Sequence, residues 1–223
     1  MPGAPVLDDI KIIIEDFGRG GGNKPPARAD GGGGDNNKRR RPGPSSPRRY
    51  YTGIALGIVS ILMFFMALAS AYIVQRATSE RWVPVHLPAM LWVNTIILLF
   101  SSATIERARK RLAQADISGF RSLWLITTIL GLAFLAGQLV AWRLLVAQGI
   151  YVATNQGSSF FYIFTAVHGV HLLGGICALL YVYLRNFESA KISVSLAAAV
   201  SSYYWHFMDG LWLFLLALLY LGK

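Results

Sequence analysis

The sequence predicts an all-α fold, a polytopic membrane helix bundle with five transmembrane helices, N-terminus inside and C-terminus outside. Three observations carry this expectation. The 223-residue chain is 54% hydrophobic. Only 14% of it is charged, against about 25% in an ordinary soluble domain. Apolar runs of spanning length recur along the chain, and Lys and Arg cluster between them. A net charge of +10 would also suit a nucleic-acid binder, but the positions argue otherwise. Ten of the 21 Lys and Arg precede Tyr50 and the rest flank apolar runs, which is a topology signal rather than a basic groove. The period-2 alternation of a membrane barrel is absent.

Residues 1–49 read as a cytoplasmic flexible tail. Its Gly- and Pro-rich centre is too poor in apolar groups to fold alone. Before it, Ile10, Ile13, Ile14 and Phe17 recur at helical spacing, so 6–17 is expected to be a short acidic partner-docking helix or, equally, a disordered stretch with a chance pattern. The first apolar run starts only near Tyr50, so no cleavable signal peptide is expected. Residues 50–223 form the membrane domain. About 20 apolar residues cross the hydrocarbon, and five segments qualify: Tyr51–Val74, Leu87–Ile105, Leu123–Leu145, Phe160–Leu184 and Leu196–Leu221. With the N-terminus inside, 17 Lys and Arg fall on the inner side and four outside, as the positive-inside rule requires. Trp82, Trp124, Trp142, Tyr151 and Tyr220 lie near segment ends, where aromatic belts form. The single cysteine, Cys177, can form no internal disulfide.

Each segment carries a small or polar stripe at helical spacing. The first has Gly53, Gly57 and Ser60, and a Gly-x-x-x-Gly pair lets a neighbouring helix approach closely. The second has Asn94, Ser101 and Ser102; the third Thr127, Gly131 and Gln138. The fourth has Thr165, His168 and His171, the fifth Ser202, His206 and Asp209. Small and hydrogen-bonding residues commonly join membrane helices, and Asn94, Thr127 and Gln138 read that way. His86 falls at an interface. Asp209 is the only carboxylate in the five apolar segments, and an ionised Asp there costs roughly 2.5–3.5 kcal/mol on insertion scales. His168 and His171 share one face of the fourth helix, His206 and Asp209 one face of the fifth. At similar depth on antiparallel neighbours, they can converge. Three readings stay open on spacing alone: a metal site, a haem with histidine axial ligands, or a hydrogen-bonded network that locks the two helices. No Ser-His-Asp order, phosphate loop or paired carboxylates is present, and a single membrane carboxylate is not the acid chain of a self-contained proton pump.

Four stretches resemble one family. They are Leu91-Trp92-Val93-Asn94-Thr95 with Leu99 to Thr104; Gly131 to Phe134 with Gln138 and Trp142; Phe161-Tyr162 through Thr165, His168, Gly169, His171 and Gly174; and Tyr204-Trp205-His206-Phe207 with Asp209 and Trp212. Together, over about residues 50–222, they resemble subunit III of the haem–copper terminal oxidases in its short five-helix bacterial form. The resemblance implies a non-catalytic subunit in a bacterial inner membrane. It implies packing against catalytic subunit I and other oxidase subunits, docking of other respiratory complexes through the N-terminal tail, phospholipid bound between helices, support of proton uptake, and haem and copper held in partner subunits, with no cofactor on this chain. It makes His168, His171, His206, Asp209 and Ser202 an architectural polar network. It also implies that helices one and two splay from the other three around a lipid-filled cleft. Two positions depart from the family pattern: Ile61 replaces a mid-membrane Glu on the first helix, and Ala141 stands where a Glu often follows the Gln of the third. The proton-linked role of that first-helix carboxylate is therefore not carried over. Quinol oxidases and nitric-oxide reductase systems use relatives of the same fold. From a different class, the alternative is a membrane metal- or haem-binding protein or transporter built on His168, His171, His206 and Asp209.

Overall fold

The structure, a computed structural model, describes residues 47–79, 88–184 and 191–221, with side chains from Tyr50 to Ser79, through the middle segment and from Val194. The tail with its docking segment at 6–17, Trp82 and His86 lie outside the described residues. Five helices follow in order: α1 Pro47–Thr78, α2 Met90–Ala113, α3 Ile117–Ala147, α4 Gln156–Leu184 and α5 Lys191–Leu221. Four of them, α1, α3, α4 and α5, are long and apolar enough to cross a membrane. The fold is thus the all-helical, multi-pass membrane architecture that the sequence predicts. α2 is the exception. Its apolar stretch ends at Ile105, and Glu106, Arg107, Arg109, Lys110 and Arg111 fill its last two turns. α1, α3, α4 and α5 each start before the apolar segment that predicts them, whereas α2 starts three residues inside its own and runs past its end, because polar flanks continue the hydrogen-bonded spiral beyond the hydrocarbon.

α2 and α3 form a tight antiparallel hairpin. At the end of α2, Ala115 adopts φ 59°. Its N–H donates to Leu112 O at 3.1 Å, and the Asp116 N–H donates to Arg111 O at 3.0 Å. This is the paired 5→2 and 6→1 closure that satisfies the last carbonyls of a helix. Asp116 then caps α3, accepting from Gly119 N–H at 2.9 Å. α3 ends in the same closure with Gly149 at φ 78°, where glycine carries no steric penalty. α4 opens on a reciprocal cap between Asn155 and Ser158: the Ser158 N–H donates to Asn155 Oδ1 at 2.7 Å and the Asn155 N–H to Ser158 Oγ at 3.1 Å.

Around the bundle, α2 packs on α3 and α5, α3 on α4, and α4 on α5. α1 lies against α5 and α4. This overturns the expected separation of helices one and two from the rest: they do not stand together but flank α5. The reason is in the side chains. α1 buries Phe65, Ala69 and Tyr72, at i, i+4 and i+7, and sets their rings edge-on to His171, Phe160 and Phe164 of α4. Gly53, Gly57 and Ser60, predicted to receive a neighbouring helix, instead face outward. A Cβ at Gly53 or Gly57 would meet nothing within 4 Å, and the Ser60 hydroxyl donates to Leu56 O of its own helix. Asn94 and Gln138 do meet between α2 and α3, Asn94 Nδ2 donating to Gln138 Oε1 at 3.5 Å. α2 closes onto α3 because Gly137 leaves room for the Asn94 amide.

Candidate functional site: a polar seam between α2 and α5

Two tryptophans position α5. Trp205 and Trp212 are fully or almost fully buried, and both reach α2: Trp205 Nε1 donates to Ser101 Oγ and Trp212 Nε1 to Thr95 Oγ1, each at 3.0 Å. Ser101 and Thr95 are held in turn by their own helix, donating to Leu98 O and Leu91 O. The Trp205 ring needs Gly131 of α3, where an added Cβ would come within 2.6 Å of it. On α4, Gly175 makes room for Tyr204, whose hydroxyl donates to His171 O at 2.9 Å. Trp124 of α3 donates to Leu179 O of α4 at 2.9 Å, and Trp142 to Thr165 Oγ1 at 3.0 Å. Buried indole N–H groups find a partner in this way because an unmade bond in an apolar medium costs about 1–3 kcal/mol.

This scaffold distributes the predicted polar residues. His206 turns toward α2: its Nδ1 pairs with Ser102 Oγ at 2.7 Å, and its Nε2 lies 3.9 Å from Glu106 Oε2. Glu106 also accepts from Arg109 Nη1 at 3.3 Å. The guanidinium of Arg109 sits over the Tyr203 ring, 5.4 Å from its centroid. Asp209 is 6% exposed. Neither Asp209 oxygen has a hydrogen-bond partner among the described residues, nor does Ser202 Oγ. His168 is enclosed by rings, 5.2 Å from the Trp212 centroid and 5.9 Å from that of Phe134, with both nitrogens unpartnered. His171 bonds Val167 O through Nδ1 at 2.8 Å.

His168, His171, His206, Asp209 and Ser202 therefore make no hydrogen bond to one another. The expected His206–Asp209 lock is replaced by a His206–Ser102–Glu106 seam to α2. Sequence reading passed over Glu106 because it stands one residue past the apolar segment. Its spacing was the available signal, since Glu106 follows Ser102 by four and so shares its helical face. Among the described residues, no three His, Cys, Asp or Glu side chains converge as a metal-ligand set.

What these contacts build is a pair of tryptophan-stapled helix contacts, α2 with α5 and α3 with α4. Residues 47–222 match the family described as cytochrome c oxidase subunit III. The chain belongs to the cytochrome c oxidase subunit III family. It is 35% identical over 179 residues to the probable cytochrome c oxidase subunit 3 of Nocardia farcinica, covering 78% of this chain and 88% of that one. It is 32% identical to the corresponding probable protein of Mycobacterium tuberculosis, again over 78% and 88%. With the cytochrome c oxidase subunit 3 of Thermostichus vulcanus it shares 32%, over 76% and 85%. Subunit III proteins are multi-pass membrane components that associate with other oxidase subunits, and the tryptophan-stapled helices here belong to the matched region.

Proposed function

We propose that the chain is the non-catalytic subunit III of a bacterial haem–copper oxidase in the cell membrane. There it holds the oxygen-reducing subunit in its working form and binds phospholipid. One observation supports this above others: the family match runs from the start of α1 to the end of α5. Haem and copper are carried by partner subunits. Cytochrome c, the substrate in the relatives' names, is the donor we assign to the complex. Affinity purification through this chain from its native membrane tests the reading. Recovery of a haem–copper subunit, a haem spectrum and oxidation of reduced cytochrome c are expected. A chain isolated without any haem–copper subunit would refute it.

The lipid role has its own place. Tyr72, Ile73, Arg76 and Ala77 of α1 and Leu218 and Leu221 of α5 line a half-open groove of about 430 Å³. Apolar walls suit an acyl chain. Arg76, which donates to Leu221 O at 3.0 Å, sets a cation at the mouth for a phosphate. Arg76→Leu should lower the phospholipid count of the purified complex by native mass spectrometry. An unchanged count would remove this groove as the lipid site.

A further inference from the structure

Four helices meet in one polar layer. Gln138 of α3 stands four residues from Phe134 and four from Trp142. Both of those reach α4: the Phe134 ring centroid lies 5.9 Å from that of His168, and Trp142 Nε1 donates to Thr165 Oγ1 at 3.0 Å. Gln138 therefore faces the turn of α4 that runs from Thr165 to His168. Its Oε1 accepts from Asn94 of α2 at 3.5 Å. Next to Asn94, Thr95 accepts from Trp212 of α5, and the Trp212 ring lies 5.2 Å from that of His168. Asn94, Gln138, His168 and Trp212 thus share one depth, which their mutual contacts fix.

The layer is closed to its surroundings. Asn94 and His168 are 0% exposed, Trp212 2% and Gln138 3%, so no lipid headgroup or neighbouring chain reaches them. Yet Gln138 Nε2 and both ring nitrogens of His168 have no hydrogen-bond partner among the described residues. Asn94 Oδ1 has none either, but it lies against Gly137. The rings beside His168 cannot supply the missing bonds. Phe134 carries no polar side-chain atom, and the Trp212 N–H is given to Thr95.

Buried polar groups in native proteins are nearly always paired, with protein or with ordered water. An orphan in an apolar medium keeps its full desolvation penalty. The orphans here are complementary. The amide nitrogen of Gln138 is a donor, and an uncharged imidazole offers one donor and one acceptor. One water molecule can accept from the first and donate to the second.

We propose that this layer binds an internal water molecule, which accepts from Gln138 Nε2 and donates to the acceptor nitrogen of His168. It ties α3 to α4 at the depth where α2 is tied to α3 and to α5. Buried waters make about three such bonds and are costly to remove. The site stands apart from the subunit III reading, since all its groups belong to this chain. Radiolytic footprinting of the full chain in its native membrane tests it. Hydroxyl radicals formed from a bound water oxidise the side chains beside it, buried ones included. Trp212 and Trp124 are both buried, and Trp124 lies elsewhere, bonded to Leu179 O. Oxygen addition to Trp212 and not to Trp124 is expected. In His168→Phe, which keeps a ring and removes both nitrogens, the Trp212 signal should fall to that of Trp124. A Trp212 as unreactive as Trp124, equal oxidation of both, or a signal that survives His168→Phe would overturn the proposal. The comparison of the two tryptophans needs no variant. Thermal melts give a second readout. Two residues that share a water are coupled, so Gln138→Leu should lower the melting temperature less in the His168→Phe chain than in the unchanged one. Strictly additive losses would count against the shared water.

Discussion

Single residues in this protein are legible mainly where one side chain needs another to be small. Gly137 is the sharpest case. Its missing Cβ is the space the Asn94 amide fills, so Gly137→Ala forces that amide off its rotamer or parts α2 from α3. Overpacking of this kind costs about 1–3 kcal/mol. A fall in the melting temperature of the purified chain is expected, with partial recovery in the Gly137→Ala/Asn94→Ala double variant; an unshifted melting curve would contradict the contact. The sequence marked Asn94 and Gln138 as helix glue through their polarity in an apolar run, and they do meet. It could not mark Gly137, because a glycine required by a neighbour reads like any other. The same limit applied to Gly53 and Gly57. Their spacing suggests a close helix contact, but spacing carries no information about which face the aromatic stripe Phe65, Ala69 and Tyr72 will take. For the histidines and Asp209, spacing suggested a common cluster but carried no information about partners. His206 meets Ser102 and Glu106 on a helix remote in sequence.

At the scale of elements, the α2–α3 turn combines an efficient closure with a poor residue. Ala115 occupies the left-handed region that Gly149 occupies in the equivalent closure of α3. An L-residue there costs roughly 1–2 kcal/mol. Ala115→Gly should therefore stabilise the chain by about 1 kcal/mol, less the extra freedom glycine gives the unfolded chain; chemical denaturation in mild detergent measures it. Next to it, Asp116 is held below the usual carboxylate range by the Gly119 N–H first, then by the Ser118 hydroxyl and Arg111. A depressed pKa contributes stability that is present above the unfolded value, about 3.9 for Asp, and lost as pH falls through the lower folded value. Amide exchange at the start of α3 should thus accelerate below about pH 4. Asp116→Asn, which keeps a capping oxygen but cannot titrate, should flatten that dependence; an identical pH profile in the variant would refute the assignment. The helices themselves were readable from apolar length. Their pairing was not, because membrane helices lack a solvent-facing side that would point each one inward.

At the scale of the whole molecule, four helices among the described residues carry enough apolar length to span and one does not. α2 offers an apolar stretch from Met90 to Ile105, interrupted by Asn94, Ser101 and Ser102 and closed by a run of charge. Its polar groups are matched by others: Asn94 by Gln138, Ser101 by Trp205, Thr95 by Trp212, Ser102 by His206. Those partners lie on α3 and α5, which the ribosome delivers later. The history of the chain follows from this. As it is made, α2 reaches the membrane before anything that can satisfy it, and the short turn at Gln114–Asp116 then hands it α3. Insertion becomes a two-helix event. Nascent chains ending after Asp116 should leave α2 largely untranslocated in a glycosylation-mapping assay, and chains extended through Gln148 should thread both. Full threading by the shorter chain would show that α2 needs no companion. A subunit assembled this way would reach its oxidase already folded as a hairpin, with only its last helix left to complete the surface it offers.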